Sequence, residues 1–567
     1  MRPRPGRKLG RRDTTGTRRR RGWLLLYVGL VAGATVVVLR PSSLAWQGAF
    51  IANRPPPGLA DVYGDHLQMA YFLWLWNHAL TTLAHLPWQD PFQFAALGAV
   101  AHQPFGWPLV LVSLPVGMFS GPVAAYNAVV LAGFLFAALA AYALARELHA
   151  SPPAAAVAGF AYAFAPFRLL QGGGHVNAHL AFLLPLLLLC AERALRPRRD
   201  ARRWAWATVA VFTSVCASGE YHLAAYAGPL LAGWVLVRGT IRRLRPLAVP
   251  FAGLVVTSVV ALALASHFVI GPSVAAGGRS TEEASIYAPR ISDLWARTPN
   301  HELTTERYVY PGLPIAVLAI AGIAGAARSR RRLALGAAIG VASATAVALG
   351  PGLVGHPLLQ RASRAVPPFG YIRVPGRVAI VSALLLAVAA CWAIDRVRRS
   401  RIQTLLAGLA MVAIVLDAPL VYGASPVPPP PPVPDTEEVV LHLPPFPPGH
   451  GAGSVYAFSL TRRSVAIPNG YSPFAPPAVE AAAVELRGLA VVPPDPCRWR
   501  DLGDRYRVGY VVVHPELFDR TRAEWPAGGA EVVAALDAAP AFSRVGQRAG
   551  LVAYRLDQGG LGCPTQQ

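Results

Sequence analysis

Long apolar stretches separated by short polar loops make up most of the chain before residue 423. A helix needs about 20 apolar residues to cross the roughly 30 Å hydrocarbon core of a membrane. About eleven stretches reach or approach this length, whereas a further stretch at 105–120 is ambiguous. The stretches are 23–40, 122–146, 153–170, 176–193, 203–218, 222–238, 247–271, 312–327, 332–350, 377–395 and 402–422. The pattern predicts a polytopic α-helical membrane protein.

Arginine clusters between these stretches predict the orientation of the chain. Short cytoplasmic loops of membrane proteins carry an excess of arginine and lysine, so the clusters should share one side with the basic N-terminal tail. They do so only if 105–120 lies in the membrane interface and does not span. The clusters are at 193–203, 238–245, 328–332 and 396–401. We therefore predict about eleven spans, a cytoplasmic N-terminus and an extracytoplasmic C-terminus.

The same parity places six segments on the extracytoplasmic side, and the polar residues capable of chemistry gather there. These segments are 41–121, 171–175, 219–221, 272–311, 351–376 and the residues after about 423. The chain then divides into four parts. They are a basic cytoplasmic tail (1–21), a transmembrane domain (22–422), a proline-rich linker (423–435) and an extracytoplasmic domain (436–567).

The C-terminal part has a different pattern from the membrane part. The proline run 426–434 is typical of a semi-rigid spacer. After it, the runs 454–460, 510–514 and 551–556 are strand-like, and 478–489 is helix-like. These elements predict a small α/β or α+β domain.

Composition supports a membrane protein and narrows its partners. Of 567 residues, 54% are hydrophobic and only 14% are charged, whereas soluble domains have about 25% charged residues. The net charge of +23 lies in short arginine clusters and not on an aromatic-rich face, so nucleic acid is not a predicted partner. Membrane lipid is.

The five cysteines follow no metal-ligand spacing, so a zinc or iron–sulfur site is not predicted. Cys190, Cys216 and Cys391 lie in apolar stretches. Cys497 and Cys563 lie in the C-terminal part, where they could form a disulfide or remain unpaired.

Two carboxylates, Asp61 and Asp65, lie in the first outer segment just before an aromatic, amphipathic run at 71–78. A carboxylate held above the membrane beside such a helix could act as a general base toward a lipid-borne substrate. Asp65 also precedes a helical pattern, so helix capping is the structural alternative.

Two later outer segments carry further candidate residues for binding a substrate. A glycine-rich turn leads into His175, Asn177 and His179, whose two imidazoles lie one helical turn apart. They could hold a phosphate, a sugar hydroxyl or a metal, or they could cap a helix. Glu220 and His222 form a second polar break, which either binds substrate or sits in headgroup water.

In order and topology, residues 20–420 resemble the GT-C superfamily of integral-membrane glycosyltransferases. The resemblance is to bacterial multi-span proteins with a Gly-Asp-x-x-Gln signature after the first span, which is 64–68 here. The other matching motifs are Gln-Asp-Pro-Phe at 89–92, Tyr-Asn at 126–127, Phe-Ala-Pro at 164–166, Gly-His-Val-Asn at 174–177 and Arg-Val-Pro-Gly-Arg at 373–377. The resemblance implies transfer of a hexose or pentose from a polyprenyl-phosphate donor to an extracytoplasmic glycan, lipid or protein at the bacterial inner membrane.

The resemblance also assigns roles to residues. Asp65 matches the general base, and Asp61 is the second acidic residue, although their spacing departs from the closer acidic pairs of other branches. No cofactor is therefore predicted as required, and a divalent cation stays an open alternative. Arg373 and Arg377 match a site for the donor phosphate, with lipid headgroup contact as the alternative. The resemblance further implies that a later outer loop closes over the donor. Tyr287 and Arg290 lie in this loop and are candidate contacts with the substrate.

Non-enzymatic functions remain as alternatives, namely transport of a lipid-linked precursor or a scaffold role. A transporter predicts paired halves with broken helices at mid-membrane, and the sequence has no such halves. The glycosyltransferase hypothesis makes a structural prediction. Asp65, His175, Glu220 and Arg373 should converge on one outer cavity.

Overall fold

A computed structural model describes most of the chain. The described residues are 14–40, 46–53, 64–95, 101–102, 106–196, 199–239, 248–265, 286–298, 304–350, 374–419, 422–472, 475 and 477–560. The predicted site residues Asp61 and Arg373, and also Cys563, lie outside them. For Asn177 only the backbone is described.

Helices form the membrane region, and each of the predicted apolar stretches contains at least one of them. They are α1 (Thr14–Val38), α2 (Asp65–Thr82), α3 (Val110–Glu147), α4 (Pro152–Ala163), α5 (Pro166–Gln171), α6 (Val176–Leu180), α7 (Leu183–Ala194), α8 (Ala201–Cys216), α9 (Tyr221–Arg238), α10 (Ala248–Ala265), α11 (Thr304–Arg307), α12 (Leu313–Ser329), α13 (Arg331–Leu349), α14 (Ala379–Asp395) and α15 (Ser400–Asp417). The stretches 153–170 and 176–193 are each divided into two shorter helices.

Within the described ranges, four helices are long and apolar enough to cross a membrane, judged by length and composition. They are Trp107–Glu147, Arg331–Leu349, Pro375–Asp395 and Ser400–Asp417, and two shorter apolar helices are Gly22–Val38 and Leu313–Ser329. These helices indicate a membrane location. The total of about eleven spans remains a prediction.

Helix α3 has a kink that sets the ambiguous stretch 105–120 apart from the rest of the helix. Gly121 has φ +80°, a conformation that glycine adopts without strain, and Pro122 follows it. Before the kink, Leu111, Met118 and Phe119 are exposed. The interfacial placement of this segment remains a prediction.

Two short sheets lie next to the membrane helices. Strand β1 (Ala49–Asn53) pairs antiparallel with β4 (Tyr422–Pro426), and β2 (Gln89–Asp90) pairs with β3 (Ala101–His102). Residues 423–426, which the sequence analysis assigned to the linker, therefore belong to a strand. The proline run 426–434 begins at the last residue of this strand.

The C-terminal residues contain a four-stranded sheet with the order β5-β6-β8-β7, in which only β5 and β6 are parallel. The strands are β5 (Val439–Leu443), β6 (Val508–Val513), β7 (Phe542–Arg548) and β8 (Leu551–Leu556). The accompanying helices are α16 (Ser454–Ser459), α17 (Pro477–Arg487), α18 (Pro496–Tyr506), α19 (Pro515–Arg520) and α20 (Gly529–Ala538). Cys497 is disulfide-bonded, whereas Cys190, Cys216 and Cys391 are free.

The strand prediction for 454–460 was wrong, because this run contains α16. All six residues of α16 are buried. A short helix that is buried on every side shows no polar face, so a run of apolar residues does not distinguish it from a buried strand. Helix α16 packs against α2, and its first residue, Ser454, lies at the start of α2.

Candidate functional site

Asp65 is the first residue of α2, and the chain around it explains why a glycine precedes it. Gly64 has φ +155°, which residues with a side chain rarely adopt, and its N–H donates to Ser454 Oγ at 3.1 Å. The N-terminal cap position is Gly64, and no side chain caps the helix. The capping alternative for Asp65 was therefore wrong. Its carboxylate is 42% exposed and points to other outer segments.

Four charged side chains form a continuous chain of ion pairs. His175 Nε2 lies 3.0 Å from Asp65 Oδ2 and 3.2 Å from Glu306 Oε1. Arg377 holds the same Glu306 with two hydrogen bonds, Nη2 to Oε1 at 2.6 Å and Nε to Oε2 at 3.2 Å. We call Asp65, His175, Glu306 and Arg377 the ion cluster. Its two positive and two negative groups balance.

Each member of the ion cluster comes from a different part of the chain, at or near the start of a helix. Asp65 begins α2, His175 precedes α6, Glu306 lies in α11, and Arg377 lies in a 3₁₀ turn before α14. The glycine-rich turn before His175 permits this close approach, because a Cβ on Gly174 would lie 3.1 Å from Asp65 Cβ. A side chain at position 174 would therefore require a small shift of the first turn of α2.

The ion cluster sets the protonation states of its members. Burial alone would raise the pKa of Asp65, but the hydrogen bond and charge of His175 outweigh it, and the pKa is lowered. Burial would lower the pKa of His175, yet the charge of Glu306 and hydrogen bonds to both carboxylates raise it to about 9. Burial would raise the pKa of Glu306, but Arg377 and His175 hold it well below its usual range. At neutral pH both carboxylates are ionised and His175 is an imidazolium.

Glu220 and His222 lie beside the ion cluster. His222 Nδ1 is 3.0 Å from Glu220 Oε1. Burial would raise the pKa of Glu220, but the hydrogen bond and charge of His222 lower it, and the charges of Arg377 and His175 act in the same direction. Glu220 is therefore ionised within electrostatic range of the cluster.

The candidate residues His179, Tyr287 and Arg290 are not members of the ion cluster. His179 is buried and packs against Gly133 of α3. Tyr287 is half-buried and Arg290 is exposed, with its backbone N–H donating to Asp293. Their segment lies next to the ion cluster, since a Cβ on Gly376 would come within 3.1 Å of Pro289.

The structure thus brings Asp65, His175 and Arg377 into one cluster, with Glu220 within electrostatic range of His175 and Arg377. Their convergence on one outer cavity stays a prediction. Arg373 lies outside the described residues. The sequence analysis missed Glu306, although its loop was singled out. The only local signal was a carboxylate between two threonines and an arginine, and nothing in that spacing indicates a partner at residue 175 or 377.

A metal site does not emerge from the part of the chain that the structure describes. Among those residues, no group of three or more His, Cys, Asp or Glu side chains is arranged to hold a metal ion. Asp61 lies outside them, so the divalent cation stays an untested alternative.

Comparison with known proteins adds a family and a fold. A family model described as "Domain of unknown function (DUF6311)" matches residues 110–417. No curated protein matches the sequence. Among solved structures, the arabinofuranosyltransferase AftD from Mycobacteria is 15% identical with a TM-score of 0.54, covering 94% of this chain and 40% of its own. This chain therefore spans about two fifths of that protein.

Two further solved structures match over most of their own length. ArnT from Cupriavidus metallidurans is 13% identical with a TM-score of 0.49, covering 96% of this chain and 99% of its own. The oligosaccharyltransferase AglB from Archaeoglobus fulgidus is 14% identical with a TM-score of 0.45, covering 96% and 75%. The likeness to AftD, the one of these three structures with a TM-score above 0.5, confirms the predicted GT-C resemblance at the level of fold.

Proposed function

Because the chain belongs to the DUF6311 family and has the GT-C fold, we propose that it is a membrane glycosyltransferase. Its donor is a sugar linked to polyprenyl phosphate, and its acceptor is a hydroxyl group on the extracytoplasmic side of a bacterial inner membrane. The neighbour AglB was solved with a dolichol-phosphate, and ArnT with undecaprenyl phosphate. Both ligands are polyprenyl phosphates, the carrier of the proposed donor.

One observation carries the proposal, namely that the ion cluster joins a partly exposed carboxylate to a guanidinium group. The Asp65 side chain is 42% exposed, so an acceptor hydroxyl can reach it. In the proposed step, Asp65 takes the proton of the acceptor hydroxyl, and the hydroxyl oxygen attacks the anomeric carbon of the donor sugar. The bond between this carbon and the phosphate oxygen breaks with inversion, and polyprenyl phosphate leaves.

Arg377 is the proposed group that binds the leaving phosphate. Its two-point contact with Glu306 has the geometry with which a guanidinium group binds a phosphate. Glu306 thus occupies the place of the anion, and the donor phosphate would exchange with it. Charge that develops on the leaving oxygen would then be stabilised by Arg377.

An apolar cavity beside this ion pair supports a lipid-borne donor. The cavity measures about 240 Å³ and lies between α12, α13 and α14. Val309 and Tyr310, just after Glu306, line one part of it, and Ala379, two residues after Arg377, lines another. A polyprenyl chain in this cavity would hold its phosphate at the ion cluster.

Sugar transfer in proteoliposomes tests the proposal. Wild type, Asp65→Asn and the exposed control Asp501→Asn would be given a panel of undecaprenyl phosphates carrying different hexoses and pentoses, with bacterial envelope glycans as acceptors. We expect wild type and the control to transfer equally and Asp65→Asn to be about 10²- to 10⁴-fold slower, the usual contribution of a general base. Equal transfer by Asp65→Asn would remove this base. Absence of wild-type transfer across the whole panel would overturn the proposed function.

A further inference from the structure

Helix α9 carries two buried polar atoms that have no hydrogen-bond partner among the described residues. They are His222 Nε2 and Tyr226 Oη. Their residues are four positions apart and so lie on one face of the helix, about 5–6 Å from each other at Cβ. Tyr226 is only 4% exposed.

Three other buried tyrosines of this region satisfy their hydroxyl groups. Tyr71 donates to Asp90 Oδ1 at 2.7 Å, Tyr126 to the carbonyl of Ile51 at 3.2 Å, and Tyr162 to the carbonyl of Ala181 at 2.7 Å. Leaving a buried hydroxyl unpaired is costly. Tyr226 departs from this pattern, which points to a partner that binds.

The chemistry of His222 restricts what that partner can be. Glu220 is an acceptor, so the Nδ1 atom of His222 carries the hydrogen of their 3.0 Å bond. In the neutral ring, Nε2 then offers a lone pair and accepts a hydrogen bond. Tyr226 Oη donates. With the ring in this neutral form, the pair fits a group that donates and accepts at once, such as a hydroxyl. In the imidazolium form that lowers the pKa of Glu220, both Nε2 and Tyr226 Oη donate to the oxygen of that group.

The position of the pair places this group at the proposed reaction centre. Tyr226 lies within electrostatic range of Arg377, Glu220 and Glu306. Helix α9 also contacts the 3₁₀ turn Pro375–Val378, which carries Arg377. A ligand held by His222 and Tyr226 would lie beside the proposed phosphate position.

We propose that His222 Nε2 and Tyr226 Oη bind one hydroxyl group of a carbohydrate, with Tyr226 donating to its oxygen and the hydroxyl donating to His222. The inference rests on the proposed function, which brings a sugar next to Arg377. The hydroxyl belongs either to the donor sugar or to the acceptor, and the two sources have the same chemistry.

Thermal unfolding without ligand gives the first test. We expect Tyr226→Phe to unfold at the wild-type temperature or higher, because it removes an unpaired buried hydroxyl. The matched control Tyr162→Phe should unfold at a lower temperature, because it removes a hydroxyl that donates to Ala181. A clear loss of stability in Tyr226→Phe would mean that its hydroxyl is structural, and would overturn the inference.

Binding in nanodiscs gives the second test and separates the two sources. The probes are undecaprenyl phosphate, the same lipid carrying glucose, mannose or arabinose, and the methyl glycosides of these sugars. Undecaprenyl phosphate should bind wild type and Tyr226→Phe equally. If the bound hydroxyl belongs to the donor sugar, Tyr226→Phe should bind a sugar-bearing lipid about 3- to 10-fold more weakly than wild type does. If the hydroxyl belongs to the acceptor, Tyr226→Phe should show the same loss of affinity for a methyl glycoside.

The outcomes distinguish this inference from the proposed function. If wild type binds undecaprenyl phosphate but gains nothing from any sugar, or if Tyr226→Phe retains full affinity for all sugar probes, the inference is overturned and the lipid-phosphate proposal stands. If wild type binds none of the lipids, the proposed function itself fails.

Discussion

His175 joins two carboxylates through one nitrogen atom. Its Nε2 lies between Asp65 and Glu306, and both contacts require that the ring carries a proton there. The imidazolium charge keeps Asp65 ionised and fixes the direction of its carboxylate. We therefore regard His175 as a positioning residue for the proposed base, at a point where the first outer helix meets the glycine-rich turn.

The raised pKa of His175 makes a prediction about stability and pH. A raised folded-state pKa contributes stability that is fully present below the ordinary histidine pKa, about 6.5, and is lost as pH rises through the folded value of about 9. We therefore expect the unfolding temperature of wild type to decrease as the pH is raised from about 6.5 to about 9. His175→Gln should be less stable at pH 6 and should lack most of this fall, measured by thermal unfolding in detergent. The same pH dependence in both proteins would contradict the assignment.

Glu306 competes with the proposed donor phosphate for Arg377. Glutamine at 306 keeps the size of the side chain but removes the negative charge, so Arg377 would be more available. We expect Glu306→Gln to bind undecaprenyl phosphate about tenfold more tightly, in line with the energy of a charged hydrogen bond, and Arg377→Gln to bind it more weakly. Lipid retention measured by native mass spectrometry checks both variants. Weaker binding by Glu306→Gln would show that the carboxylate helps to hold the donor.

At the scale of elements, the motif Tyr126-Asn127 connects α3 to β1. Asn127 Oδ1 accepts from Ile51 N at 2.9 Å, and Nδ2 donates to the carbonyls of Trp46 and Ala49 at 3.0 and 2.9 Å. Tyr126 donates to the carbonyl of Ile51. This part of the GT-C resemblance is therefore a structural contact that holds the edge strand.

Replacing Asn127 should cost stability, because it leaves several buried backbone groups of β1 unpaired. We expect Asn127→Ala to lose about 1–3 kcal/mol of unfolding free energy. The partly buried Asn77, whose side chain bonds with Ser113 among the described residues, provides the comparison. Asn77→Ala should lose less. Thermal or denaturant unfolding of both variants checks the difference, and equal losses would argue against a special role for Asn127.

For the whole molecule, the most informative contact is between the C-terminal region and the first outer segment. Gln93 Oε1 accepts from Tyr471 N at 2.8 Å, and Ile467 N donates to the Phe92 carbonyl at 2.9 Å. Ser454 meanwhile accepts from the N–H of Gly64. The C-terminal region thus supports the turn that presents the proposed base.

Loosening this contact should affect both domain docking and activity. Gln93 also donates to the buried Asp90, so Gln93→Ala breaks bonds to both sides. We expect limited proteolysis to release the C-terminal region faster from Gln93→Ala than from wild type, together with slower sugar transfer. Gln547→Ala, which loses only a surface bond to Arg544, is the control. Unchanged proteolysis and transfer in Gln93→Ala would show that the docking does not depend on Gln93.

The ends of the helices form two groups. One group meets at the ion cluster, and the other carries the arginine clusters for which a cytoplasmic side is predicted. At the ends opposite the ion cluster, Glu192 pairs with Arg196 and Arg238, and Asp395 pairs with Arg330. These are residues of the arginine clusters assigned to the cytoplasm or their neighbours. The assignment of each group to a side of the membrane remains a prediction.

Local pattern was sufficient for much of the architecture. The apolar stretches contained the membrane helices, since a span needs a long apolar run whatever its neighbours are. Charge parity predicted that His175, Glu220 and the Asp65 segment share one side of the membrane. The structure brings these residues near one another, and the side itself stays a prediction. The strands β6 and β8 also followed from their sequence. Each of these features depends on residues that are close together in the chain.

Other features depend on partners that are distant in the chain. Residues 65, 175, 306 and 377 meet in the ion cluster, although at least 71 positions separate Glu306 from its nearest partner in sequence, Arg377. The helix at 454–459 and the strand at 422–426 likewise depend on burial against α2 and on pairing with β1. Spacing and periodicity encode local geometry, whereas ion pairing, burial and strand pairing are set by which surfaces the folded chain brings into contact.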